Sequence, residues 1–504
     1  MYFAIRVDAS DQIGTGHLMR CLTLADALQK RGAEIHFVSR HMPLHLQQMV
    51  RDHGHRFTLL AKSREDLTDE LVHARWLGTS QTSDALATKV ALAGKKWDWL
   101  IVDHYALDAR WESELRQSCG KIMVIDDLAD RMHDCDVLMD QNLYSDMHSR
   151  YVDKVAPHCR QLMGPRYALL RPDFELARQR STPREGDVQR ILVFFGGVDA
   201  ENYTGRAIAG LAILQNTALQ VYVVIGAGHP HREQLLKDCA AHGYVCHVQT
   251  DRMAELMTNA DLSIGAGGGA TWERCCLGLP TLVLSTADNQ KRQLVDAAKA
   301  GLVYAPDVDD DIESAVAKHI MALIENPSLR ELISVNGMQA VDARGASRIV
   351  HALGNSSIEM RAVTINDSRD LFNWRNDPVI RAVSRNMELI AWDGHQHWLD
   401  AVLIDPNRIL LIGMTQDVPV GVVRYDLDGE IAEISIYLVP DKLSSGLGAE
   451  LLLAAETWLR KKLPKIRSIH AHVLGGNKRS MRLFVSAGYT TELTRFTKRL
   501  KQDE

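Results

Sequence analysis

Over the first 350 residues, short apolar runs alternate with longer amphipathic stretches, and this alternation admits few folds. The runs Tyr2–Val7, Glu34–Val38, Trp99–Val102, Ile122–Ile125 and Val137–Met139 are too short for helices. Their near-continuous apolar character predicts strands of a parallel sheet covered on both faces. Segments such as Leu18–Arg31 and Arg110–Gly120 are predicted to be the helices between them. Strand–helix alternation of this kind implies a doubly wound α/β domain. Arg180–Val188, with Ser, Thr, Pro, Gly and several charges, reads as a linker. A second alternation then starts at Arg190–Phe195, continues through Leu219–Ile225, Leu262–Ile264 and Thr281–Leu284, and ends in helical segments near Leu353.

Gly354–Ile358 reads as a second linker. Beyond it, Ile409–Met414, Val418–Tyr425 and Glu430–Val439 are separated by short polar turns, the pattern of antiparallel strands. The 504 residues therefore divide into 1–179, 189–353 and 355–504. The expected fold class is α/β: two doubly wound Rossmann-like domains followed by an α+β domain. A net charge of −6 gives no support to general nucleic-acid binding. No uncharged run reaches the ~18–20 residues needed to cross a bilayer, so no stable membrane insertion is expected. Eight scattered cysteines without a CxxC pair are expected to be reduced thiols of a cytoplasmic protein. The oligomeric state is not legible.

Three glycine loops carry the chemistry. The first, Ile13-Gly-Thr-Gly-His-Leu-Met-Arg20, follows the first strand and opens a helix. Gly14 and Gly16 let backbone approach a ligand, and the helix start offers N–H groups to an anion. His17 in the first helical turn is either a local cap or a base able to take a proton from water near neutral pH. Asp8 and Asp103 are candidates to orient it, or else cap strand ends; Tyr105 and Asn289 are candidates to position a substrate or water. In the second alternation, Phe195-Gly196-Gly197-Val198-Asp199 and Gly265-Ala-Gly267-Gly268-Gly269-Ala-Thr271 each stand at a strand end before a helix, where a diphosphate is well held. Glu273, early in the latter helix, can accept bonds from ribose hydroxyls. The acidic group Asp126, Asp127, Asp130, Asp134 and Asp136 is expected to be solvated loop charge rather than a metal site.

Leu262-Ser-Ile-Gly-Ala-Gly-Gly-Gly-Ala-Thr-Trp-Glu273, Gly278-Leu-Pro280 and Asn289-Gln290 resemble the nucleotide half of GT-B glycosyltransferases. Arg6-Val-Asp-Ala-Ser, the His17 loop with Arg20, Val102-Asp-His-Tyr105, Ile125-Asp-Asp127, Gly164-Pro-Arg-Tyr-Ala-Leu-Leu-Arg-Pro172 and Gly196-Gly-Val-Asp199 resemble more closely the UDP-2,4-diacetamido-2,4,6-trideoxy-β-L-altropyranose hydrolases of pseudaminic acid biosynthesis. That resemblance covers roughly residues 1–350. It implies metal-independent, inverting release of UDP with His17 as general base, and substrate contacts from Arg6, Asp8, Gly14, Gly16, Arg20, Asp103, Tyr105, Gly196, Gly197, the Gly267–Gly269 loop, Thr271, Glu273, Asn289 and Gln290. A GT-B glycosyltransferase using a UDP-sugar donor is the alternative.

Residues 358–500 resemble GNAT-family N-acetyltransferases. The strand Glu430–Val439, the loop Leu443-Ser-Ser-Gly446-Leu-Gly448 with the helix Ala449–Leu463, and Asn477 through Tyr489 carry the likeness. It implies acetyl-CoA as cosubstrate, held by Leu438, Val439, Gly446, Leu447, Gly448 and Asn477. Leu443, Ser444 and Ser445 replace the family's usual basic loop entry, and Phe484 stands where many members have a Tyr that acts as general acid. Glu433 is the expected base for the amine, in an apolar setting from Ile434, Ile436 and Leu438 that would raise its pKa. Arg375 and Asn376, within Trp374–Pro378, are expected to shape an acceptor site for a 4-amino UDP-sugar. A catalytically inactive GNAT domain is the other reading.

Overall fold

The computed structural model describes residues 1–504 except 11, 63–68, 287, 309–310, 355–357, 385, 416–417, 443–446, 475 and 493–504. The chain forms two compact units, Met1–Val350 and His351–Glu504. The first holds two parallel sheets. Strands β1 (Tyr2–Val7), β2 (Glu34–Ser39), β3 (Arg56–Leu59), β4 (Trp97–Asp103), β5 (Cys119–Ile125), β6 (Val137–Asp140) and β7 (Arg160–Met163) order as β3-β2-β1-β4-β5-β6-β7. Strands β8 (Arg190–Phe194), β9 (Gln220–Ile225), β10 (Val245–Val248), β11 (Leu262–Ala266) and β12 (Thr281–Leu284) order as β10-β9-β8-β11-β12.

The strand cores are buried because helices lie on the sheet faces. Phe3, Ala4, Ile5 and Leu100 have no exposed surface, nor do Val193 and Ile264 in the second sheet. Strand order reverses beside β1 in one sheet and beside β8 in the other. In doubly wound sheets, ligands bind at the carboxyl ends of the strands at such reversals. The first two glycine loops follow β1 and β8, and the third follows β11, the neighbour of β8.

Side chains from the two halves of this unit interlock. Trp272 Nε1 and Gln293 Nε2 each donate to Asn142 Oδ1 at 3.0 Å. Asp296 accepts from the backbone and hydroxyl of Ser145 at 2.9 and 3.2 Å. Arg180 ends the helix Pro172–Arg180, and 181–188 is irregular but pinned: Arg184 donates to the carbonyls of Met257, Thr258 and Ala260. One boundary differs from expectation. The helix predicted over Arg110–Gly120 ends at Leu115, passes through a 3₁₀ turn, and gives way to β5 at Cys119, because Ile122–Ile125 draws the preceding residues into the sheet.

The second unit is α+β. Strands β13 (Glu359–Ala362), β14 (Arg408–Thr415), β15 (Val418–Asp428), β16 (Ile431–Leu438) and β17 (Ser468–Ala471) lie in sequence order. The first three pairings are antiparallel and the last is parallel. Pairing of β16 with β17 stops at Ile434–Ala471, while β16 continues to Leu438. The helix Leu447–Lys462 packs one face of the sheet through Leu451, Leu452, Ala455 and Leu459. Of the second expected linker, residues 355–357 lie outside the described residues, and Ile358 is already core.

Candidate functional sites at two sheet ends

The turn after β1 closes through Gly14 N–H donating to Ser10 O at 2.7 Å. Gly14 has φ +76°, a left-handed conformation that favours glycine. The helix Gly16–Gln29 follows without a side-chain cap at Thr15 and without an acidic residue in its first turn. A Cβ at Gly14 or Gly16 would meet nothing within 4 Å, so the loop borders open space. An uncapped helix start facing open space can receive an anion.

His17 lies on the first turn of this helix and is 9% exposed. Its Nδ1 is 2.6 Å from Asp103 Oδ1, at the end of β4. Arg20, one turn on, donates to both oxygens of Asp103 at 2.6 and 2.7 Å, and to Asp127 at 3.3 Å. Burial pushes the Asp103 carboxyl up, but Arg20 and His17 outweigh it and hold it well below the usual range. An ionised carboxylate only accepts, so of the two tautomers it favours the one with the proton on Nδ1 and Nε2 as the acceptor. Tyr105 packs edge-on against the His17 ring, centroids 4.7 Å apart, and its hydroxyl donates to Asp127. Trp76 and His73 extend this aromatic wall, Trp76 stacked on Tyr105 at 5.7 Å and His73 at 5.3 Å.

Arg6 and Asp8 stand elsewhere. Both have no exposed surface, and they pair with one another at 2.5 Å. Arg6 also bonds Asp84, while Asp8 accepts from Ser39 and the Arg40 backbone and lies 3.2 Å from His104. Asp8 therefore does not orient His17, and neither residue offers a free surface to a ligand. They brace the strand ends beneath the loop. Asp103 alone of the two candidate aspartates reaches the histidine.

The acidic group after β5 is solvated only in part: Asp130 is exposed as expected, but the others are paired. Asp126 is buried against Arg131 at 2.9 Å, Asp127 receives Arg20 and Tyr105, and Asp134 and Asp136 share Arg116. The sequence concealed this because most of the partners come from other segments. Asp127 is a site residue with no role assigned from the sequence; its signals were its place just after β5, which adjoins β4, and its part in the Ile125-Asp-Asp127 likeness.

In the second sheet, Gly196 has φ +101°, and a Cβ at Gly196 or Gly197 meets nothing within 4 Å. Asp199 turns back to accept from the Tyr203 and Thr204 backbone, starting the next helix. After β11, Gly267 forms the bend, Gly268 (φ +82°) precedes the helix Gly269–Cys276 without a side-chain cap, and Gly269 is open to added atoms. Thr271 is fully buried, with its N–H on Gly268 O at 3.0 Å, so it shapes the loop from within. Glu273 is half-buried, and burial pushes its carboxyl up to about 7 against the opposing pull of Arg171. Asn289 and Gln290 fall on the helix Asp288–Lys299, but their side chains lie outside the described residues.

In the second unit Glu433 sits on β16, half-exposed, with His472 Nδ1 2.9 Å away. The apolar setting expected from Ile434, Ile436 and Leu438 is wrong. Strand side chains alternate, so those residues point to the opposite face, where Ile434 joins the core. Glu433 instead shares its face with exposed Ser435 and stands opposite Asp426. Arg375 donates to Asn386 O, and Asn376 bonds Ile390 through both ends of its amide, at 2.8 and 3.0 Å. Both hold the loop that follows the next short helix, Pro378–Ala382. Val439 N–H is taken by Val420 O, whereas Leu438 and Leu447 are half-buried at the point where β16 outruns β17. Gly448 lies in ordinary contact distance of Leu438 and Leu483. Gly446, with Leu443–Ser445, lies outside the described residues. Asn477 caps the helix Lys478–Ser486. Phe484 is 8% exposed and packs on Tyr489, so it is a core residue.

All eight cysteines are free, and no helix among the described residues is long and apolar enough to cross a membrane. The family model for the acetyltransferase (GNAT) family matches residues 369–489. An uncharacterized protein of Methanocaldococcus jannaschii is 23% identical over 512 residues, 97% of this chain and 96% of that one. The spore coat polysaccharide biosynthesis protein SpsG of Bacillus subtilis is 23% identical over 70% of this chain and 98% of its own length. UDP-2,4-diacetamido-2,4,6-trideoxy-β-L-altropyranose hydrolase of Campylobacter jejuni is 24% identical over 60% of this chain and 97% of its own. The chain is thus homologous to that hydrolase over 303 residues and carries, in addition, a GNAT-family acetyltransferase segment.

Proposed function

We propose that the chain is a bifunctional nucleotide-sugar enzyme. Its first unit hydrolyses UDP-2,4-diacetamido-2,4,6-trideoxy-β-L-altropyranose to UDP and free sugar, and its second unit uses acetyl-CoA to acetylate the 4-amino precursor. The observation that carries the first half is the Asp103–His17–Arg20 constellation at an uncapped helix start. His17 Nε2 takes a proton from water as the water oxygen attacks the anomeric carbon. The bond from that carbon to the diphosphate oxygen breaks, UDP leaves with the electron pair, and configuration inverts. Asp103 stabilises the imidazolium that forms, and Arg20 keeps Asp103 ionised. The open backbone at Gly196–Gly197 and the helix start at Gly268–Gly269 supply positive dipoles to the leaving diphosphate. Half-buried Glu273 is placed for the ribose hydroxyls, and Tyr105 for the sugar or the attacking water.

In the acetyl transfer, the sugar amine attacks the thioester carbonyl while Glu433, backed by His472, receives the amine proton. The thiolate of CoA departs. Phe484 carries no proton to give it, so water protonates the leaving group.

The deciding experiment is product analysis by mass spectrometry and NMR. The protein is incubated with UDP-4-amino-4,6-dideoxy-N-acetyl-β-L-altrosamine, with and without acetyl-CoA. Diacetylated free sugar plus UDP, formed only with acetyl-CoA, establishes both steps and their order. An unchanged nucleotide sugar in both tubes rejects the substrate assignment. Sugar transfer only on addition of an acceptor favours the glycosyltransferase reading.

A further inference from the structure

One cluster of metal-ligating side chains stands apart from both sites. Asp26 lies toward the end of the helix Gly16–Gln29. His53 ends the helix Leu44–Asp52, and His55 immediately precedes β3. Gly54 between them has φ +81°, and the turn is closed by Gly54 N–H on Arg51 O at 2.8 Å. This left-handed residue reverses the chain so that both imidazoles face the same carboxylate, ring centroids 6.3 Å apart. His53 Nδ1 is 3.0 and 2.9 Å from the two oxygens of Asp26, and His55 Nε2 is 2.9 Å from one of them. The three groups' ligand atoms all lie within 4.8 Å of one another.

A carboxylate facing two imidazole nitrogens can be satisfied by two N–H donors or by one cation. Zinc bound at ~2.0–2.1 Å in a tetrahedron holds its ligand atoms about 3.3 Å apart. The His–Asp contacts need to open by a few tenths of an ångström, and the two imidazole nitrogens, within 4.8 Å of one another, need to settle near that spacing. Asp26 is half-buried and His53 is exposed, so both can move, and the solvent side leaves the fourth position to water. Two imidazoles with one carboxylate suit zinc and its first-row neighbours rather than magnesium or calcium.

We propose that Asp26, His53 and His55 form a three-ligand site for divalent zinc that fastens the His17-bearing helix to the turn before β3. His17 lies nine residues from Asp26 on that helix, about 14 Å along its axis, so the ion takes no part in the reaction. His55 is 4% exposed, and its Nδ1 has no partner among the described residues. Zinc-bound histidines usually donate that second N–H to an acceptor, so this site binds more weakly than a fully backed one.

The test uses the full chain, stripped with chelator, dialysed, and titrated with zinc by calorimetry and with cobalt(II) by visible absorption. One saturable equivalent per chain is expected, together with the absorption of a four-coordinate nitrogen–oxygen site. His53→Gln and Asp26→Asn should each abolish both signals, and UDP release by His53→Gln should equal that of the parent. His53 is exposed, so its replacement disturbs no core; if Asp26→Asn fails to fold, His53→Gln alone decides. No saturable binding, or an equivalent that survives His53→Gln, overturns the proposal.

Discussion

The His17 region and the Glu433 region hold their charges in opposite ways. Around His17 and at the strand ends beneath its loop, Arg6, Asp8, Arg20, Arg40, Asp84 and Asp103 are all buried, and each touches an opposite charge. Around Glu433, the partner His472 is itself 59% exposed. A parallel sheet covered on both faces leaves charge at its strand ends in low dielectric, where an unpaired ion is costly. Networks drawn from several elements are the result. The Glu433 face of the antiparallel sheet is half open to water, which screens its groups. The first arrangement fixes protonation state and orientation in advance; the second leaves both to solvent and substrate.

Four measurements sharpen or break this contrast. His17→Ala should lower UDP release by about 10²- to 10⁴-fold, with acetyl transfer from acetyl-CoA unchanged. Parallel loss of both activities would break the separation into two sites. Arg6→Met removes the guanidinium that Asp8 and Asp84 share, leaving Asp84 to Arg40, and should cost the first unit ~3–5 kcal/mol in urea unfolding, with the GNAT unit's transition unmoved. A loss below ~1 kcal/mol would mean that the network is not what braces the strand ends. Glu433→Gln should slow acetyl transfer by only about 10-fold, near the lower end for a general base, because water can reach the amine proton. A drop as large as that of His17→Ala would contradict the open character of this face.

The smallest effect concerns Asp140, which is buried beside Asp127 and has its carboxyl pushed up to about 7, first by burial. The folded state then holds a proton that the unfolded chain releases near pH 4. Stability from this group is complete below that value and falls as pH rises toward 7. Asp140→Asn should remove this descent, a change on the order of 1 kcal/mol between pH 6 and 7. Denaturant midpoints across that range check it. An unchanged slope would show that Arg150 already neutralises Asp140.

Much of the architecture was legible because it rests on local pattern. Short apolar runs separated by amphipathic helices gave the parallel strands, and Gly14 and Gly268 marked turns that only their left-handed backbone requires. The site was legible where function and local structure coincide, as at His17 in the first turn of its helix. It was misread where the partner lies far along the chain. Asp8 and Asp103 look equivalent as strand-end aspartates, yet Arg6, Ser39 and His104 claim one while His17 and Arg20 claim the other. Glu433 was misjudged for a different reason: its apolar sequence neighbours occupy the opposite face of the strand.

By itself, then, the sequence determined the alternation of elements, the glycine turns, and the presence of a histidine at a helix start, since each depends on residues a few positions apart. The tertiary structure decided which aspartate orients that histidine, which acidic residues are paired, and that Asp26 meets His53 and His55. Those outcomes depend on which strands lie side by side, and ion pairs 80 or more residues apart, such as His17 with Asp103, form only after the sheet order has brought their ends together.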